Sequence, residues 1–114
     1  MEPRKLRLSS WPLPLSAAVL MLSCVGAVGL EPDAQRGQTF VRANCAQCHS
    51  IDKISASPLK IAPPFRTLHL QYPVENLAEA LAEGITTGHP SMPEFQLDPG
   101  QVGDVIAYLQ SLER

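Results

Sequence analysis

Five consecutive residues, Cys45-Ala46-Gln47-Cys48-His49, restrict this chain more than any other feature. Two cysteines three positions apart, followed at once by a histidine, admit four chemical uses, and the rest of the sequence separates them. A structural zinc site needs four ligands, typically with a second C-x-x-C or H-x-x-x-H pair. After residue 29 there is no further cysteine, and His69 and His89 lie twenty positions apart. A thioredoxin-type dithiol needs alternating strands and helices around it, whereas here a helical stretch precedes the motif and a proline-rich one follows. A plain disulfide between cysteines so close is strained and closes almost no loop. The remaining use is attachment of haem: two thiols take up its two vinyl groups as thioethers while the adjacent imidazole reaches the iron.

Such attachment requires export to an oxidising compartment, and the N-terminus reads accordingly. Arg4, Lys5 and Arg7 form a positive start, and the fourteen residues Ser16 to Gly29 carry no charge. With small residues at Ala27 and Gly29, residues 1–29 read as a secretory signal peptide cut after one of them, leaving a domain at 30–114 in the periplasm. The alternative is an uncleaved anchor, against which the run is short of the roughly 20 residues a spanning helix wants. Cys24 raises a second alternative, lipidation, but Met21-Leu22-Ser23 before it departs from the usual Leu-Ala-Gly type of approach. Membrane contact is expected only if the leader is retained or Cys24 is lipidated.

From Leu30 onward six bases face ten acids, a net charge of −4. That balance gives no support to nucleic acid as a partner, since phosphate binding needs clustered bases. The 85 residues left make a marginal core, and chains of this size usually need a staple. A covalently held haem would supply one.

Three helices are expected, and no strand pair. Asp33 is placed to cap a first helix over residues 34–44, with Phe40, Val41 and Cys45 along or beside its buried side. Gly37 inside it costs about 1 kcal/mol against alanine, which points to another backbone or ring packed closely there. Residues 50–70 contain Pro58, Pro63 and Pro64 and read as an irregular wrapping loop. Its apolar residues, Ile51, Ile54, Leu59, Ile61, Phe65 and Leu68, must cover something, and a haem edge would serve. Residues 73–83 read as a middle helix with Pro73 at its first position, Val74, Leu77, Ala78 and Leu81 on one face, and Gly84 as terminator. Glu75, Glu79 and Glu83 form an acidic stripe, read as a solvated face. Asp98, Pro99 and Gln101 carry the signature of a capping box opening a last helix. Val102, Val105, Ile106, Leu109 and Leu112 then follow at helical spacing.

The second axial ligand must come from elsewhere. Met92 is the only methionine after residue 29 and stands between Pro90 and Pro93, which would hold its backbone in place. A lone methionine is commonly core filler, but a loop position between Ser91 and Pro93 suits that role poorly. His89 would give a bis-histidine iron, His69 is more distant, and an open iron is the remaining option. Met92 is the expected ligand, and a thioether opposite imidazole raises the potential by favouring ferrous iron.

A helix before C-x-x-C-H, a late loop methionine and an amphipathic last helix together resemble the class I monohaem cytochrome c family, most nearly its short soluble bacterial members. The resemblance covers residues 33 to 114. Gly37 matches the family's glycine eight residues before the first cysteine. The family's aromatic four residues before that cysteine is Val41 here, with Phe40 one position early, so which of the two packs on the last helix stays open. The stretch Asp104-Val105-Ile106-Ala107-Tyr108-Leu109 looks like the family's terminal-helix signature, which implies Tyr108 over Gly37. Ala62-Pro63-Pro64-Phe65 looks like the family's Gly-Pro-x-Leu stretch, which implies that the Pro63 carbonyl accepts from the other nitrogen of His49 and fixes the imidazole.

The resemblance implies an all-α cytochrome c fold, with three main helices and irregular loops wrapped around one haem c bound through Cys45 and Cys48. It further implies iron held by His49 and Met92, with Pro63 beside the cofactor. The expected function is single-electron carriage between redox protein partners of a respiratory or periplasmic oxidation chain, by a monomer that is not an enzyme. Two alternatives stand beside it: a haem-bearing subunit of a larger oxidoreductase, and a haem protein that binds or senses a ligand at an open iron. Mitochondrial members of the family present a lysine-rich rim; with only Lys53 and Lys60 this chain is expected to meet neutral or basic-rimmed partners.

Overall fold

The computed structural model describes residues 29–85 and 91–114. The expected leader up to residue 28, with Cys24, and His89 and Pro90 lie outside the described residues. Helix α1 runs Pro32–Asn44, helix α2 Leu77–Glu83 and helix α3 Pro99–Ser111, with 3-10 turns at Phe65–Leu70 and Val74–Asn76. Among the described residues there is no strand, and no helix is long and apolar enough to cross a membrane. This is the expected all-α architecture.

Helix α1 begins earlier than expected. Pro32 lies at its start and Glu31 is the capping residue, without a side-chain cap. Proline's fixed φ is ready-made for the first helical turn and its missing N–H costs nothing there. Asp33 therefore sits inside the first turn instead of before it, its Oδ1 accepting the Ala34 N–H at 2.8 Å. The carboxylate is still near the positive end of the helix.

The buried stripe of α1 runs through Ala34, Gly37 and Val41 toward Cys45, at spacings of three and four. Val41 is wholly buried and is the member of this helix at the centre of the core, while Phe40 is partly buried at its flank. Against this stripe packs the face of α3 that carries Val102, Val105, Tyr108, Leu109 and Leu112. The two helices meet at Gly37, where a Cβ would overlap the Asp104 carbonyl and stand 2.9 Å from the Tyr108 Cβ. Glycine is needed here for close approach, as the sequence suggested, and Tyr108 is indeed its neighbour. The Tyr108 hydroxyl donates to the Ile51 carbonyl at 2.6 Å, joining the crossing to the loop after the motif. At its edge Arg36 makes a two-pronged contact with Asp104, 2.8 Å from Nε to Oδ2 and 2.7 Å from Nη2 to Oδ1.

Helix α3 opens on the expected capping box. The Gln101 N–H donates to Asp98 Oδ1 at 2.9 Å, and Gln101 Oε1 accepts the Asp98 N–H at 3.2 Å. The middle helix is tighter at its start than expected: Val74–Asn76 is a 3-10 turn with Pro73 as its cap, and α2 begins only at Leu77. Gly84 ends α2 at φ 113°, a left-handed conformation that suits glycine. Two backbone bonds then tie the returning chain to this end, Leu97 N–H to the Leu81 carbonyl at 2.8 Å and Ile85 N–H to the Phe95 carbonyl at 3.3 Å. Glu75, Glu79 and Glu83 are exposed, and Glu75 accepts from Gln110 Nε2 of α3 at 2.5 Å.

The stretch 50–70 is irregular up to Pro64 and then forms the 3-10 turn Phe65–Leu70, which sequence periodicity did not announce. Of its apolar residues Leu68 is buried, and Ile51 and Phe65 are partly buried against the core. Ile54 is 90% exposed and covers nothing within the chain.

Candidate haem site

The motif continues directly from α1 as a run of tight turns. The Cys45 N–H and Ala46 N–H both donate to the Val41 carbonyl, at 2.8 and 3.1 Å, and the Cys48 and His49 N–H groups to the Cys45 carbonyl, at 3.2 and 3.0 Å. These bonds wind five residues into little more than one turn, so both thiols and the imidazole are presented to one cavity of about 390 Å³. Burial, with the Cys48 thiol beside it, pushes the Cys45 thiol up to about 11, so it is neutral at physiological pH.

His49 is held from two sides. Its Nδ1 lies 2.8 Å from the Pro63 carbonyl oxygen, an acceptor, so this nitrogen carries the proton and Nε2 is left as the free donor atom. The Phe65 ring packs on the imidazole with centroids 4.8 Å apart and planes tilted by 37°.

The cavity walls come from several separate segments of the chain, none of them α3. The wrapping loop contributes Leu59, Ile61, Ala62, Pro63, Phe65 and Leu68; Tyr72, Leu77 and Ile85 come from the middle region; and Ser91, Met92, Pro93 and Phe95 come from the returning segment. Cys45, Cys48, His49, Pro63 and Met92, all named from the sequence, thus face one space. His69 does not line it. Among the described residues no group of three His, Cys, Asp or Glu side chains gathers as a metal would require.

Sequence reasoning missed Tyr72 and Phe95 as lining residues. Both sit next to segments whose folding depends on distant contacts, and neither carries a spacing signal. It also missed the cluster of polar contacts around Ser50, Asp52, Ser55 and Arg66. A cavity with apolar walls, two thiols, an imidazole with its Nε2 free and a thioether among the lining side chains fits a haem bound through thioethers.

Comparison with known proteins agrees with this chemistry. The Cytochrome c family model matches residues 34–113. The chain is 30% identical over 94 residues to cytochrome c-552 of Bradyrhizobium diazoefficiens, covering 82% of this chain and 88% of that protein. It is 29% identical over 85 residues to a cytochrome c-553-like protein of Synechocystis, covering 75% of this chain and 74% of the relative. No solved structure gives a match of comparable strength. The chain belongs to the cytochrome c family of haem-based electron carriers, with iron in a c-type haem joined covalently through Cys45 and Cys48.

Proposed function

We propose that this protein is a single-electron carrier in which His49 and Met92 would hold the haem iron, both ligands coming from within the chain. The observation that carries the reading is that Met92 lines the same apolar cavity as Cys45, Cys48 and His49, with the Nε2 of His49 left free by the bond from Nδ1 to Pro63. When bound, the haem supplies the one-electron change between ferric and ferrous iron. The chain supplies the rest. Cys45 and Cys48 hold the ring in place, Pro63 fixes the imidazole, and Met92 favours the reduced state. Leu59, Phe65, Leu68 and Phe95 exclude water, which keeps reorganisation around the iron small. With the iron closed, no substrate has to bind it.

The polypeptide is exported by residues 1–29 and works as a monomer in the periplasm, passing electrons between redox protein partners of a respiratory or periplasmic oxidation chain. Those encounters are brief, because weak redox complexes use small interfaces.

The test is the ferric absorption spectrum and the potential of Met92→Ala beside the parent. The weak long-wavelength sulfur-to-iron band disappears and the potential falls in the variant. A band that persists, or an unchanged potential, sinks Met92 as ligand. Carbon monoxide binding by the parent ferrous protein at neutral pH would favour a sensor with an open or displaceable ligand.

A further inference from the structure

The chain between His49 and its acceptor Pro63 is an irregular loop with no helix or sheet to define its path. What defines it is one buried polar residue, Ser50, which is 3% exposed. Its carbonyl accepts the Phe65 N–H at 2.9 Å. Its N–H donates to Ser57 Oγ at 3.0 Å, and its own Oγ accepts from Arg66 Nη1 at 3.1 Å. The same Arg66 nitrogen donates to the Ser55 carbonyl at 2.7 Å and makes a longer contact, 3.4 Å, with that of Asp52. Those carbonyls are presented by a turn that the Asp52 carboxylate closes, accepting the N–H groups of Ile54 and Ser55 at 2.8 and 2.6 Å. Arg66 therefore binds three points of the outgoing loop from the segment that begins at Pro63. Ser50 is covalently next to His49, and Phe65, its backbone partner, lies on the His49 ring.

We propose that Arg66, acting through Ser50, is a positioning residue that sets the strength of the hydrogen bond from His49 Nδ1 to Pro63, and with it the reduction potential. The inference rests on His49 being an axial ligand. A short bond to Pro63 gives the imidazole more anionic character, strengthens its donation through Nε2 and favours ferric iron. Clamping Ser50 to Phe65 and Arg66 holds the two ends of the loop, and so donor and acceptor, in register. Release of the clamp lets the bond lengthen, weakens donation and raises the potential.

The sign makes the idea testable, because loss of a positive charge near the iron acts the other way: by Coulomb's law alone, Arg66→Gln would favour the ferric state and lower the potential. The experiment measures the potential of the intact haem-loaded protein and of Arg66→Gln, Arg66→Lys and Ser50→Ala. It also measures exchange of the Ser50 amide proton and the His49 ring proton by magnetic resonance. The potential rises in Arg66→Gln, rises less in Arg66→Lys, which keeps the charge and a donor, and rises in the charge-neutral Ser50→Ala. Both protons exchange about tenfold faster in Arg66→Gln, the expectation for losing a charge-assisted hydrogen bond. A potential that falls or stays put in Arg66→Gln overturns the proposal. Should that variant fail to hold haem, an unchanged potential in Ser50→Ala overturns it equally. All three variants leave Met92 in place, so the sulfur-to-iron band persists in each; its absence from the parent would count against Met92 as ligand and not against the clamp.

Discussion

Asp52 is a surface carboxylate with an interior residue's task. The Ser55 hydroxyl donates to it, as do the N–H groups of Ser55 and Ile54, and these bonds hold it down to about 2 from an ordinary 3.8. The depression has a definite sign in linkage: the folded group is more acidic than the unfolded one, so its contribution is complete above about pH 4 and is lost as the pH falls toward 2. Followed by magnetic resonance, the amide signals of Ile54 and Ser55 should titrate together with a midpoint near pH 2, and Asp52→Asn should abolish that titration. A midpoint near 4 would mean that the carboxylate is free in solution and that the turn is not closed by it. The turn escaped sequence reasoning because Asp-Lys-Ile-Ser has no fixed signature, and because Arg66, which reads its carbonyls, lies fourteen positions from Asp52. His49 and Pro63 are also fourteen positions apart, yet that pair was foreseen, since a ligating imidazole demands an acceptor and the family resemblance indicated where one would be found.

Between elements, the α1 and α3 crossing decides where the motif points, because Cys45 follows α1 without a break. Its closest point is backbone against backbone. Alanine at Gly37 would gain up to about 1 kcal/mol in helix propensity. Against that, its methyl group overlaps the Asp104 carbonyl, and overpacking of this kind costs about 1–3 kcal/mol. The second effect wins because a main-chain carbonyl in a packed helix cannot rotate away as a side chain can. Gly37→Ala therefore lowers the thermal midpoint by several degrees. Gly103, on α3 and exposed, has nothing within 4 Å of a Cβ, so Gly103→Ala raises it. Equal behaviour of the two would refute close packing at Gly37. A glycine that breaks helix propensity and a capping box are visible in a sequence because each is a local rule broken or obeyed. The 3-10 turn at Phe65–Leu70 was not visible. Its turns follow a proline pair and are bought by tertiary contacts of Leu68 and Phe65, against which local propensity says little. The early start of α1 was missed for the converse reason: Asp33 is a good cap by type, but Pro32 before it already fits the first turn.

At the scale of the whole molecule the haem cavity is a meeting of segments rather than a property of any element. The motif comes from the end of α1, one wall from the wrapping loop, another from the chain that returns after α2 to α3. A sequence with one C-x-x-C-H and one late methionine could be read this far because the family's chemistry leaves few residues able to serve, even though the contacts joining them are long-range. Charge is the property that the whole domain presents to a partner at a distance. From Leu30 onward, the part that remains once residues 1–29 are removed as proposed, it is −4, spread over the exposed carboxylates Glu75, Glu79 and Glu83 on one side and others around the surface. An anionic oxidant such as ferricyanide is then repelled, and screening assists the reaction. Its rate with the reduced domain should rise several-fold between about 0.01 and about 0.15 M ionic strength, as the Debye length shrinks from about 30 to about 8 Å. A cationic cobalt complex should show the reverse. A ferricyanide rate that falls with salt would mean that the surface around the haem is locally positive, with Lys53 and Lys60 outweighing the net charge. The expectation of neutral or basic-rimmed redox partners would then be withdrawn, because encounter is steered by the field at the electron-transfer edge and not by the sum over the molecule.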